Sequence, residues 1–290
     1  MKKYINKMQS AVLIIFILLF ACLTGCTGIY DYLTEQSNHE IITENASTEN
    51  DSTENDSLEN DLTENASTEN DSAEKDSTDN NLTEFDFSSV PEYSGFPYVE
   101  INDNIPFFSD EELSTASYEE YAELDSLGRC GVCIACIGKD IMPTEKRGKI
   151  GHIKPSGWNQ KKYPGLVDGN YLYNRCHLIG YLLTGENDNV RNLITGTRYF
   201  NTEIMLPFEI MVADYIMDTN NHVMYRVTPY FEGDNLLASG VLMEAKSVED
   251  DEILFCVFCY NIQPGVVIDY LDGSSHLDEN ADTAGETTAE

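Results

Sequence analysis

The sequence predicts an α+β fold with a mainly antiparallel sheet, and three observations carry that prediction. Runs rich in β-branched and aromatic residues occupy 223–227, 236–245 and 253–262 in quick succession. A single stretch, 199–217, places Met211, Val212, Tyr215 and Ile216 at helical spacing. Between them and the N-terminal half lies a long segment, 139–171, that holds Pro143, Pro155, Pro164, five glycines and many lysines, and reads as loop.

The chain has 290 residues and a formal net charge of −34. Taken whole, that charge argues against nucleic acid as a partner. It is unevenly spread, however. Residues 129–198 hold 11 bases against 5 acids, a net of +6, so a basic block sits inside an acidic chain. About 190 residues remain once the low-complexity ends are set aside, enough for one ordinary domain.

Taken in order, Lys2, Lys3 and Lys7 precede an apolar run over 11–22. The run is too short to span a bilayer comfortably and has the length of a signal h-region. It ends in Leu23-Thr24-Gly25-Cys26, which resembles a bacterial lipobox with Cys26 as the site of lipidation. Residues 1–25 are therefore expected to be a lipoprotein signal peptide. Residues 26–86 are expected to be an acidic linker. Thr-Glu-Asn recurs within it at Thr43, Thr48, Thr53, Thr63 and Thr68, and the repeats hold too little apolar surface to offset ordering entropy. About 60 flexible residues span roughly 45 Å, a spacer between membrane and domain. Residues 87–275 are expected to form the domain and 276–290 an acidic, frayed tail.

Within the domain, Ser109 followed by Glu112 fits a capping box and predicts a short helix. Residues 118–121 lead to a closing segment at 124–128, and 129–137 reads as a small-residue strand. Pro207 kinks the helix over 199–217 or marks a new start within it.

Candidate chemistry concentrates in Asn174-Arg175-Cys176-His177 and in the stretch from Asn192 through Arg198 and Asn201 to Glu209. His177 titrates near neutrality and can take a proton. Carboxamide oxygens such as those of Asn192 and Asn201 suit a hard cation that keeps several waters. On an unbroken helix Asn201 and Glu209 lie roughly 80° apart, on one broad face. Arg175, Arg191 and Arg198 offer forks for a phosphate. These are the parts of a phosphodiester hydrolase. The residue types alone leave a purely structural, hydrogen-bonded role for His177 open.

The stretch from Leu124 through Val267 resembles the DNA/RNA non-specific endonuclease family, in its DNA-entry nuclease branch from Gram-positive bacteria. The resemblance rests on Leu124-Asp-Ser-Leu-Gly-Arg129, Met142-Pro143, Gly157-Trp158, Asn174-Arg-Cys-His177, Asn192-Leu-Ile-Thr195, Thr197-Arg198, Tyr225-Arg-Val-Thr-Pro229 and Gly240-Val-Leu-Met-Glu244, in that order. It implies a ββα-metal core and an Mg2+-dependent endonuclease, with Mn2+ a second candidate, that cuts DNA and RNA without sequence preference and leaves 5′-phosphates. It assigns His177 as general base, Asn201 as the direct metal ligand, Glu209 as holder of a metal-bound water, and Asn192 as orienter of His177 or of the metal's waters. Arg175 and Arg198 fall to site structure or phosphate, and Lys146 and Arg147 to backbone contacts, which carry no sequence information. With the lipobox, the expected place is the extracellular face of the cell membrane, reached through a lipid anchor only.

Two departures from the family pattern, Asn174 for an aspartate and Cys176 for a glycine, motivate an alternative: a lipoprotein that captures DNA and cuts it weakly or not at all. A third reading makes the repeats an adhesin. Six cysteines remain for the domain: Cys130, Cys133, Cys136, Cys176, Cys256 and Cys259. Cysteines three apart in a strand face opposite sides, so buried core thiols are expected before disulfides, and zinc last.

Overall fold

A computed structural model describes residues 85–279, all within a single compact unit. The signal-like run, Cys26 and the Thr-Glu-Asn repeats lie outside the described residues, as does most of the acidic tail. Among the described residues no helix is long and apolar enough to cross a membrane.

The framework is a six-stranded antiparallel sheet. In chain order its strands are β1 (Tyr98–Glu100), β2 (Tyr118–Tyr121), β3 (Cys133–Ile137), β6 (Val223–Tyr230), β7 (Gly240–Ser247) and β8 (Leu254–Tyr260), and in space they run β1-β8-β7-β6-β3-β2. A separate hairpin pairs β4 (Tyr173–His177) with β5 (Leu193–Thr197), and another pairs β9 (Val266–Ile268) with β10 (Ser275–Leu277). A short helix α1 (Tyr181–Thr184) lies in the connection from β4 to β5. After β5 a π-helical turn (Phe200–Met205) leads into α2 (Leu206–Thr219).

The three late β-rich runs are thus strands, and the mainly antiparallel α+β reading holds. Both faces of the sheet are covered, which is why β7 and β8 read as nearly continuous apolar runs. Val241, Met243 and Ala245 of β7 point into the main core, shared with Phe200, Ile204, Val212 and Ile216 from the helical run and with Cys176 and Ile194 of the β4–β5 hairpin. Leu242, Cys256 and Phe258 point the other way, onto Phe85, Phe87, Val90, Ile101 and Phe107 of the N-terminal segment.

The helix expected from Ser109 and Glu112 does not form. The capping bond is present, with Ser109 N donating to Glu112 Oε2 at 2.8 Å, but only a turn comes after it. Glu112's other oxygen is engaged at 3.1 Å by Arg226 Nη1 from the sheet, and the chain runs on as an extended cover before β2. Pro207 does mark a new start, at the first turn of α2.

All six domain cysteines are buried free thiols. As the strand period requires, Cys133 and Cys259 face the main core while Cys256 faces the N-terminal cover and Cys136 Sγ donates to Ser114 O. Cys130 lies before β3 rather than in it. It joins Cys133 in donating to backbone carbonyls of the turn 190–193.

The N-terminal cover is pinned by one ion pair. Arg226 of β6 grips Glu244 of β7 through Nε–Oε2 at 2.7 Å and Nη2–Oε1 at 2.9 Å, and Glu244 Oε1 also accepts from Phe107 N at 2.8 Å. Glu244 is almost wholly buried. Removing one partner of such a pair leaves the other charge uncompensated, so Arg226→Met is expected to cost about 3 kcal/mol of unfolding free energy in urea titrations. The double variant Arg226→Met, Glu244→Leu should regain most of that loss; equal losses in the single and double variants would contradict it.

Candidate active site

The β4–β5 hairpin presents alternate residues to opposite sides. Cys176 points into the main core, with Sγ 3.5 Å from Met205 Sδ. Gly196 on β5 makes room for it, because a Cβ there would lie 2.7 Å from that of Cys176. His177, the last residue of β4, points the other way.

The imidazole is nearly buried, at 6% exposure, and both ring nitrogens are engaged. Nε2 lies 2.8 Å from the Asn187 carbonyl oxygen. A carbonyl only accepts, so Nε2 carries the proton and Nδ1 keeps its lone pair. Nδ1 faces Arg147 Nη2 at 3.2 Å, which donates to it. Burial, and then the Arg147 charge, push the ring's pKa down to about 3, against the opposing pull of the Asn187 bond. The ring is therefore neutral throughout the physiological range.

Arg147 and Glu209 complete the buried cluster. Burial lowers the Arg147 pKa to about 10, while attraction to Glu209 acts the other way, and it stays a cation at neutral pH. Burial raises the Glu209 carboxyl to about 8, against the pull of Arg147 and a hydrogen bond from the Gly180 N–H. Gly180 lies three residues after His177, and a Cβ on it would meet the Glu209 carboxyl group at 2.7 Å. Glycine is needed there for close approach, since its φ of −59° is ordinary.

Asn192 is fully buried, and its carboxamide is engaged at both ends by one residue. Oδ1 accepts from Ile179 N at 2.8 Å and Nδ2 donates to Ile179 O at 2.9 Å, while its own carbonyl accepts from Leu178 N. It fixes the chain just past His177.

Asn201 stands in the π-helical turn, where the Leu206 N–H bonds to the Asn201 carbonyl five residues back. Such a turn takes up one residue without advancing the helix. The eight-residue spacing to Glu209 then acts as seven, so the two side chains lie about 20° apart around the axis and about 10 Å apart along it, instead of the 80° of an unbroken helix.

The other expected residues are dispersed. Arg175 binds loop carbonyls, Nε to Ile153 O and Nη2 to Gly151 O, with its guanidinium 4.2 Å from the centre of the Trp158 ring. That is a role in site structure. Arg198 lies at the end of the hairpin away from His177, its nitrogen bonded to Leu172 O and its guanidinium paired with Asp168 at 3.0 Å. The hairpin therefore separates it from the His177 cluster as a phosphate ligand. Lys146 is exposed beside Arg147. The part played by Asn187 has no sequence signal: Glu186-Asn-Asp-Asn indicates a turn, but nothing in it says whose ring its carbonyl will meet.

The donor set fits a hard divalent cation. The Glu209 carboxyl group is buried in the pocket that Arg147 also enters, Asn201 supplies a carboxamide oxygen from the preceding π-helical turn, and Asn187 Oδ1 is a buried acceptor with no hydrogen-bond donor.

Residues 111–249 match the family described as DNA/RNA non-specific endonuclease. Among solved structures, NucA from Streptococcus agalactiae without metal is 25% identical, with a TM-score of 0.54 over 62% of this chain and 86% of that one. Its magnesium-bound form is 24% identical, with a TM-score of 0.55 over 62% and 87%. The Sda1 nuclease with bound zinc is 25% identical, with a TM-score of 0.55 over 63% and 97%.

Asn192→Ala leaves the Ile179 N–H and C=O buried and unpaired, and is expected to lower stability by about 2–3 kcal/mol in denaturant titrations. A loss below about 0.5 kcal/mol would refute the double clamp. A second expectation concerns pH. The folded-state pKa of Glu209 is raised from 4.5 to about 8, so its contribution to stability is full below about 4.5 and is lost as pH rises to about 8. His177 acts oppositely, losing stability as pH falls from 6.5 towards 3, but that effect is shared with a Glu209→Gln variant and cancels in the difference. The melting stability of the metal-free wild type relative to Glu209→Gln is thus expected to fall by about 1 kcal/mol per pH unit between pH 5 and 8. A flat difference would mean the carboxylate is ionised throughout.

Proposed function

Because the chain belongs to the DNA/RNA non-specific endonuclease family and is a nucleic-acid hydrolase, we propose that it is a surface-tethered, Mg2+-dependent enzyme that cuts DNA and RNA without sequence preference. The observation that carries the catalytic reading is the fixed tautomer of His177. Its proton is tied to the Asn187 carbonyl, so Nδ1 is the atom that accepts a proton from the attacking water. Asn192 holds the chain behind the ring, and the neutral imidazole has no proton to lose first.

Asn201 would hold the metal directly and Glu209 would hold it through water. Once bound, it would stabilise the charge that develops on the phosphate and on the leaving oxygen. The neighbouring Sda1 structure holds zinc. The oxygen donors of this chain favour Mg2+, with Mn2+ next. Exposed Lys146, Lys149, Lys154, Lys161 and Lys162 supply backbone contacts without base readout. Tethering rests on the lipobox at Cys26 and the acidic spacer, which together give an extracellular, membrane-anchored lipoprotein.

The capture alternative drew its support from Asn174 and Cys176. Both sit on the side of β4 that faces the core, away from His177, so neither substitution touches the proton-accepting atom. Plasmid and RNA cleavage with and without EDTA tests the reading. His177→Ala and Asn201→Ala should each lower the rate at least about 100-fold, and EDTA should abolish it. Alanine variants that cut as fast as the parent would sink the assignment. Salt-dependent DNA binding without metal-dependent turnover would favour capture.

A further inference from the structure

The catalytic reading needs the Nδ1 lone pair of His177 to meet a water, yet in the structure that lone pair is already taken. Arg147 Nη2 lies 3.2 Å from Nδ1, and a guanidinium can only donate. Capping by Arg147 and attack by an activated water use the same lone pair and exclude each other.

We propose that Arg147 is a displaceable cap, whose guanidinium covers His177 Nδ1 while the metal is absent and moves off it when a divalent cation enters. The inference rests on the functional reading above and adds to it a step that couples metal loading to exposure of the base.

Three features of this chain support it. Glu209 packs against Gly180, three residues past His177, so a dication held beside its carboxyl group would set like charges together with Arg147 in a pocket where they are weakly screened. Arg147 is carried by loop, with no regular element between β3 and β4 apart from an isolated bridge at Lys162 and Tyr171. Lys146 and Gly148 on either side of it are exposed, so the loop that carries it lies at the surface. The ring itself cannot yield instead, because the Asn187 carbonyl holds Nε2 and the Asn192 clamp holds the adjoining backbone.

The test uses diethyl pyrocarbonate, which acylates unprotonated imidazole nitrogens, on the full chain without nucleic acid. Modification of His177 is tracked by peptide mass spectrometry, with the exposed His152 and His276 as internal references. Metal-free wild type is expected to react slowly at His177. Arg147→Met should react at least about tenfold faster, the worth of one charge-assisted hydrogen bond. Saturating Mg2+ should accelerate the wild type and leave Arg147→Met unchanged.

Equal rates in wild type and variant would overturn the cap, as would a wild-type rate indifferent to Mg2+ that calorimetry shows to be bound. Arg147→Ala serves if the methionine variant does not fold, and the wild-type comparison with and without Mg2+ decides alone if neither does. A wild type that binds neither Mg2+ nor Mn2+ and cleaves nothing would remove the functional reading and the cap together. Binding and cleavage with indifferent labelling would remove the cap only.

Discussion

The site depends on one hydrogen bond, from His177 Nε2 to the carbonyl of Asn187. In isolation such a bond contributes about 1 kcal/mol. Its importance lies in choosing which nitrogen is bare. Arg147, which only donates, asks for the same tautomer from the other side of the ring, so the Nδ1 lone pair faces the pocket and not the Asn187 backbone. The bond spans ten residues, so the connection from β4 to β5 must have a fixed shape. Asn192 provides it by holding Ile179 at both backbone atoms, and Cys130 and Cys133 add thiol donors to the turn that carries Asn192.

The candidate site was legible in the sequence where it is written in side-chain types. His177, Asn201 and Glu209 stand out because few residues can accept a proton or offer a hard oxygen. The sheet was legible where both faces are buried, since such strands read as unbroken apolar runs. Short strands such as Tyr98–Glu100 and Ser275–Leu277 have no such signature and form because neighbouring strands offer them an edge. The turn at Ser109 shows the opposite limit: its local capping signal is real, and a tertiary ion pair with Arg226 still decides the path of the chain. Arg175 and Arg198 show why positive forks near a motif are weak predictors. A strand sends successive residues to opposite sides and its two ends to different places, and each arginine here found carbonyls or a carboxylate before any phosphate.

Two buried charge clusters in the same domain make a useful contrast. On the cover face, Arg226 and Glu244 pair bidentately, Glu112 adds a further bond, and Phe107 N satisfies a carboxylate oxygen. That arrangement is closed, with its polar atoms matched. Around His177 the matching is incomplete. Glu209 is held near neutrality by burial, the ring is a poor base while Arg147 sits on it, and Asn187 Oδ1 has no donor. Each mismatch costs stability, and under the proposed function each would be relieved from outside: a cation for the oxygens, a phosphate's negative charge for the ring's basicity. Incomplete satisfaction at one cluster beside full satisfaction at the other separates a site from a staple.

The helical run explains how a site of so few residues is aligned. Pro207 lacks an N–H and would clash inside a continuous α-helix, so a helix carrying Asn201 must break or restart before it. Here it restarts through a π-helical turn, and the residue absorbed there rotates Asn201 by about 100° relative to α2. With that rotation Asn201 and Glu209 share a face two turns apart, and Glu209 arrives against Gly180, three residues beyond His177. Straighten the turn and the carboxamide points well away from the carboxylate, while Phe200, Ile204 and Met205 leave the core they now fill. Packing and chemistry therefore select the same irregularity, and the strain of the π-turn is carried by apolar burial that the fold requires in any case.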